Sequence, residues 1–136
     1  MANYRDMGIA DVSFLADVDL TQKQYYFVMP ASTAGNVTTS TGACNPAPLG
    51  VLQNSPSLGQ EATVRILGFT KLVCEVSTCN LVWRRFIFCA SDGQGEAIAV
   101  AGSLCNGRFM QADVTSGSLI AQVQLFDSSA SVGAQI

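Results

Sequence analysis

Asp17 and Asp19 alternate along one extended stretch, so a strand there would project both carboxylates from the same face. That is the arrangement carboxylate pairs need for hydrolysis or metal binding. No third ligand accompanies them, and the competing reading, a solvated strand face, is the simpler one. Arg84 and Arg85 beside Trp83 could form a cation–π or anion-binding spot, or could be charges at a strand end. Tyr25, Tyr26 and Phe27 could stack on a sugar, or form ordinary core. The chain has no histidine, which removes the commonest general base, the Ser-His triads and most zinc sites. Its cysteines make no C-x-x-C, and no nucleophile elbow, phosphate-cradling or dinucleotide-binding glycine pattern is present. The expectation is a protein that is not an enzyme and carries neither cofactor nor metal.

Composition narrows the class further. At 136 residues the chain fits one domain, able to bury about two-thirds of its unfolded surface. Charged residues make up 12% and apolar ones 49%, against a usual charged share of about 25%. So little charge fits either a surface covered by neighbouring subunits or a tight domain dressed in Ser, Thr and Gln. The net charge is −3 and the seven basic residues are scattered. A nucleic-acid binder concentrates basic residues on one face, so that class is excluded. No apolar run reaches the roughly 18 residues of a membrane helix. The N-terminus, MANYRDMGIADV, has no basic and apolar regions of a secretory signal. Cys44, Cys74, Cys79, Cys89 and Cys105 are then read as reduced thiols behaving as small hydrophobes, with a Cys74–Cys79 bridge the less favoured reading.

Short strands must position whatever these residues do. Residues 1–15 read as an irregular arm. Val18 and Leu20 then alternate with Asp17 and Asp19 as a first strand, and Gln24–Met29 reads as a second, stopped by Pro30. Gly35-Asn36 either turns a hairpin into a strand at Val37–Ser40 or lies within a long loop. Leu49–Val73 contains two strands around a turn rich in Asn, Pro and Gly. Within it, Gly68 leaves two options: a bulge that brings Phe69 onto the face of Ile66, or an unbroken parity with Leu72 and Cys74 on that face. Leu81-Val82-Trp83 and Phe86–Cys89 flank Arg84-Arg85 in an otherwise continuous apolar run, read as a strand buried on both faces near its end. Ser91–Gly95 and Asn106-Gly107 read as turns, Ala97–Val100 and Leu119–Phe126 as strands, and 127–136 as a polar tail. No helical period persists. The class is all-β.

Read whole, the chain resembles the small capsid decoration, or cement, proteins of tailed bacteriophages. The resemblance starts at DLTQKQYYFV, is strongest in PLGVLQNSPSLGQEATVRILGFTKLV, and continues through SDGQGEAIAV and GRFMQADVTSGSLIAQVQLF, covering about residues 16–126. The five cysteines and the insertion-like CEVSTCNLVWRRFIF depart from the family pattern, as does the absence of a Gly-Asp before the third block. The resemblance implies a β-barrel or β-tulip-like domain over 16–126 with an extended arm at 1–15. It also implies a homotrimer that binds the major capsid protein on the outside of the mature head, after a cytoplasmic stage in the host, with no nucleic acid or membrane as partner. Tyr4, Arg5, Met7, Ile9 and Phe69 are the expected capsid or subunit contacts, with Met1–Asp11 reaching along the capsid or a neighbouring subunit. The other reading is a fibre or spike module on the virion that binds host glycan through Ala31–Pro48 or the aromatic strand.

Overall fold

A computed structural model of the chain describes residues 9–42, 46–75, 86–96, 106–110 and 118–126. Among them are nine strands and no helix: β1 (Ala10–Ala16), β2 (Phe27–Pro30), β3 (Asn36–Thr39), β4 (Gly50–Leu52), β5 (Glu61–Glu75), β6 (Phe86–Cys89), β7 (Gly95–Glu96), β8 (Gly107–Phe109) and β9 (Ser118–Leu125). The all-β expectation holds. β5 runs for 15 residues and changes partners midway. Its first half pairs with β1 and β4, its second half with β7 and β9.

Two closed rings share that strand. The first runs β1-β3-β2-β4-β5 and returns to β1, and the second runs β5-β7-β6-β8-β9 and returns to β5. The second repeats the first strand for strand, including its one parallel pair, β1 with β3 and β5 with β7. The hydrogen bonds repeat as well. Leu49 N donates to Val28 O at 2.8 Å where Asn106 N donates to Ile87 O at 3.0 Å. Gln53 N donates to Thr63 O at 2.8 Å where Met110 N donates to Gln122 O at 2.9 Å. The β2–β3 hairpin closes from Ala31 N to Asn36 O and the β6–β7 hairpin from Ala90 N to Gln94 O. Each turn places a glycine, Gly35 or Gly93, at positive φ.

Strand alternation divides the apolar residues between two cores. In β2, Val28 points into the first ring while Phe27 points out of it, into the second. In β4, Leu52 and Val51 divide in the same way. The first core gathers Ala16, Leu20, Val28, Val37, Leu52, Ala62 and Val64. The second gathers Leu72, Cys74, Ile87, Cys89, Phe109, Ala121, Val123 and Leu125 around Phe27 and Val51. Full burial of a Phe side chain contributes about 1.5–3 kcal/mol, so Phe27 is a main link between the rings. Tyr25 adds a second link: its N–H donates to Leu52 O at 2.7 Å and its carbonyl accepts from Val73 N at 2.8 Å. Those bonds hold it at φ +67°, a left-handed conformation that costs an L-residue about 1–2 kcal/mol.

Several local expectations change. The first strand is Ala10–Ala16, all but Ala16 inside the segment read as an arm, whereas Asp17–Leu20 is a bend whose Leu20 side chain plugs the first core. β2 starts at Phe27 rather than Gln24, and Pro30 ends it as expected, in a pair with Val37. Gly35-Asn36 turns a hairpin, and the long-loop alternative falls. At Gly68 the parity is unbroken. Val64, Thr70, Leu72 and Cys74 are buried on one face and Phe69 is 53% exposed on the other. Asn106-Gly107 is not a turn, because Gly107 opens β8. A Cβ there would lie 2.3 Å from Gln124 O, so the glycine answers a close backbone approach. Gly50 answers the same need, its missing Cβ lying 2.2 Å from Arg65 O. Ala97–Val100, 127–136 and residues 1–8 lie outside the described residues.

Gly50→Ala should therefore push β4 from β5 and lower stability by about 1–3 kcal/mol, the usual cost of overpacking, read as a lower urea midpoint. An unchanged midpoint would remove the close approach.

Candidate interaction surface

Residues paired directly across a sheet share a face, so the register gives each ring an outer row. In the first ring the row reads Phe27, Val51, Arg65, Asp11 across β2, β4, β5 and β1. In the second it reads Phe86, Arg108, Gln124, Phe69 across β6, β8, β9 and β5. The two rows match position for position, but their surroundings differ. Phe27 and Val51 are fully buried under the second ring, while Phe86 is 49% exposed.

The second row belongs to an apolar platform. Phe126, just past β9, meets Phe86 edge-on with ring centroids 6.5 Å apart and packs on Phe88. The Arg108 guanidinium lies 5.7 Å from the Phe126 ring centre. Its Nε is buried without a hydrogen-bond partner among the described residues. Farther along the same face Val73 stands opposite Ile120, which is exposed. Clustered exposed aromatics around an arginine are the composition of a protein-binding surface.

Phe69 sits where the rings join. Arg65 donates from Nε to Asp11 Oδ1 at 2.8 Å, from Nη2 to Asp11 Oδ2 at 3.0 Å, and from Nη1 to the Phe69 carbonyl at 2.9 Å. One guanidinium thus ties β1 to the turn of partners in β5. Beside it a cavity of about 240 Å³ is lined by Tyr25, Gln53, Arg65, Phe69, Thr70, Lys71 and Gln122. Gln53 closes one wall by donating to Thr70 Oγ1 at 2.8 Å. The Asp11 carboxyl is held below its ordinary 3.8 by the hydrogen bond and charge of Arg65, against a smaller opposing effect of burial.

The residues singled out for chemistry mostly serve the scaffold. Asp17 Oδ1 accepts from Asn36 Nδ2 at 2.9 Å and Asp19 Oδ1 from Thr21 N at 3.1 Å. No group of three metal-ligating side chains occurs among the described residues. Of the aromatic run, Phe27 is core and Tyr25 packs against it. Cys74 and Cys89 are free, buried thiols, and burial pushes them up to about 12 and about 11, so both stay protonated hydrophobes. Cys44, Cys79, Cys105, Trp83, Arg84 and Arg85 lie outside the described residues, as do the expected contacts Tyr4, Arg5 and Met7. Of the expected contacts, Ile9 and Phe69 remain. Both are exposed, and they flank one junction, since Ala10 pairs with Leu67. Phe86 escaped notice because its run is otherwise buried on both faces, at Ile87, Phe88 and Cys89. Only the register separates it from them.

No family model matches the chain, and no curated protein matches its sequence. Among solved structures it is similar to the head fibre gp8.5 N base of bacteriophage phi29. The TM-score is 0.61 at 9% identity, covering 89% of this chain and 97% of that one. At that identity the likeness is one of fold.

The Asp11–Arg65 pair has a defined pH signature. The depressed carboxyl contributes stability above its unfolded value near 3.8, and that contribution is lost as pH falls below it. The pair is partly exposed and screened, so Asp11→Asn should cost only about 0.2–1 kcal/mol at neutral pH. In denaturant titrations the gap to wild type should close below pH 3.8. A gap that persists at pH 2 would contradict this assignment.

Proposed function

We propose that this protein is a structural component of a phage virion: a capsid decoration protein that binds the major capsid protein on the outside of the mature head as a homotrimer and stabilises it. The observation that carries the reading is a fold shared over most of the chain with the N base of a phage head fibre. The decoration-protein pattern in residues 16–126 points the same way. The architecture suits mechanical work. Two rings locked through one strand and through Phe27 make a body with few independent parts, and exposed Ile9 and Phe69 offer contacts at their junction. Tyr4, Arg5, Met7 and Ile9 remain the proposed capsid or subunit contacts of the N-terminal segment. No enzymatic step is assigned.

A second reading, a fibre or spike module that binds host glycan, is favoured by the neighbour's being a head fibre. The aromatic strand is a poor platform for it, because Phe27 is buried between the rings.

The deciding experiment mixes the purified protein with expanded capsids that lack it. The expected result is co-sedimentation as a trimer. Deleting residues 1–8, which leaves β1 and its Asp11–Arg65 pair in place, should abolish that binding without dissociating the oligomer. Protein left in the supernatant would overturn the decoration reading, and full binding by the truncated form would remove the arm from it.

A further inference from the structure

We propose that the outer face of the second ring, centred on Phe86 and Arg108, docks head to tail onto the Leu15 end of the first ring in a second copy of this chain.

The precedent is inside the molecule. The first ring's outer row is covered by another ring of the same topology, which takes Phe27 and Val51 into its core. The second ring carries the matching row, with Phe86 and Arg108 where the first has Phe27 and Val51, and there Phe86, touched edge-on by Phe126, stays 49% exposed. No third ring occurs among the described residues, so a second copy is the source of a ring of the same kind. Repeating the intrachain interface between chains is the economical way to bury Phe86.

The receiving end follows from the same equivalence. Within the chain, the first ring lands on the edge of the second at Val73 and Gly93: Val73 N donates to Tyr25 O and Phe27 N donates to Gly93 O, both at 2.8 Å. The matching positions in the first ring are Leu15 and Gly35. Leu15 is 48% exposed, and a Cβ on Gly35 would meet nothing within 4 Å. That edge is open. It differs in one respect, because Leu15 N already donates to Gly35 O at 3.1 Å. A partner therefore packs on this edge rather than inserting a strand.

Charge agrees with the pairing. Arg108 is half-buried beside Phe86 and carries a positive charge that forms no ion pair among the described residues. Directly opposite Leu15 on β5 is Glu61, whose side chain is exposed. The partner's Glu61 can supply the carboxylate that Arg108 lacks, a charge-assisted bond that also fixes orientation. Because the two faces differ, the contact is heterologous and closes into a ring if its rotation allows. The inference goes beyond capsid binding and needs no capsid to test.

Sedimentation velocity on the purified full chain should show an oligomer. Phe86→Asp and Leu15→Asp should each give a folded monomer, since both side chains are exposed. Mixing the two variants should produce a 1:1 dimer and nothing larger, because only one competent pair of faces is left. Arg108→Glu should weaken association about tenfold or more, and adding Glu61→Arg should restore it. Circular dichroism reports folding, and Phe86→Ser with Leu15→Ser replaces any aspartate variant that unfolds. A monomeric wild type, single variants that stay oligomeric, or a mixture that stays monomeric would each overturn the proposal. A trimer surviving both single variants would leave the decoration reading intact and dismiss this interface alone.

Discussion

Everything in this molecule depends on β5 exchanging its partners without breaking. Leu67 still faces Ala10 of β1, and Gly68, the next residue, faces Leu125 of β9. Gly68 sits at φ +103°, where a side chain would be strained and glycine is not. Between Ala10 and Asp11 the register slips, so that two steps along β5 answer one along β1. A slip of that kind bends and twists a strand. Here it lies just before β5 leaves one ring for the other. Arg65 braces the bend by holding Asp11 with one side of its guanidinium and the Phe69 carbonyl with the other.

The shared strand also explains why two similar rings have different surfaces. The first has its row half covered by the second, so Phe27 and Val51 became core. The second has no successor among the described residues, and its row remains a surface of Phe86, Arg108, Gln124 and Phe69. Ring contents adjust accordingly. Val37 fills the first ring where the second has Gly95, whose added Cβ would run into Leu72 at 2.4 Å. The space a valine would need is already occupied.

How much of this could be read from the residues depends on whether the signal was local. The strand pair Gly50–Leu52 and Glu61–Glu75 and the closing strand Ser118–Leu125 were legible through alternation and turn chemistry, and the hairpin at Gly35-Asn36 only as one of two options. So was the thiol burial at Cys74 and Cys89, from composition. β1 was not legible, since only Phe14 and Ala16 of its residues pack inward and its other side chains stay largely in water. Gly107 misled because Asn-Gly favours turns, whereas here the glycine makes room for the carbonyl of Gln124. The duplicated topology left only traces, such as Ala-Ser before a turn glycine at 31 and 90 and a strand-opening glycine at 50 and 107. Which of Phe27 and Phe86 is core cannot be told from either neighbourhood, because the cover comes from the far end of the chain.

The shared strand has a consequence for the order in which the chain can take shape. All five strands of the first ring lie within the first 75 residues, so that ring can close while the rest is still being synthesised. Phe27 and Val51 then have no cover until β6 to β9 follow. If the first ring closes as it emerges from the ribosome, the chain passes through a stage with a finished ring and a bare apolar flank, the kind of surface that recruits chaperones or neighbours.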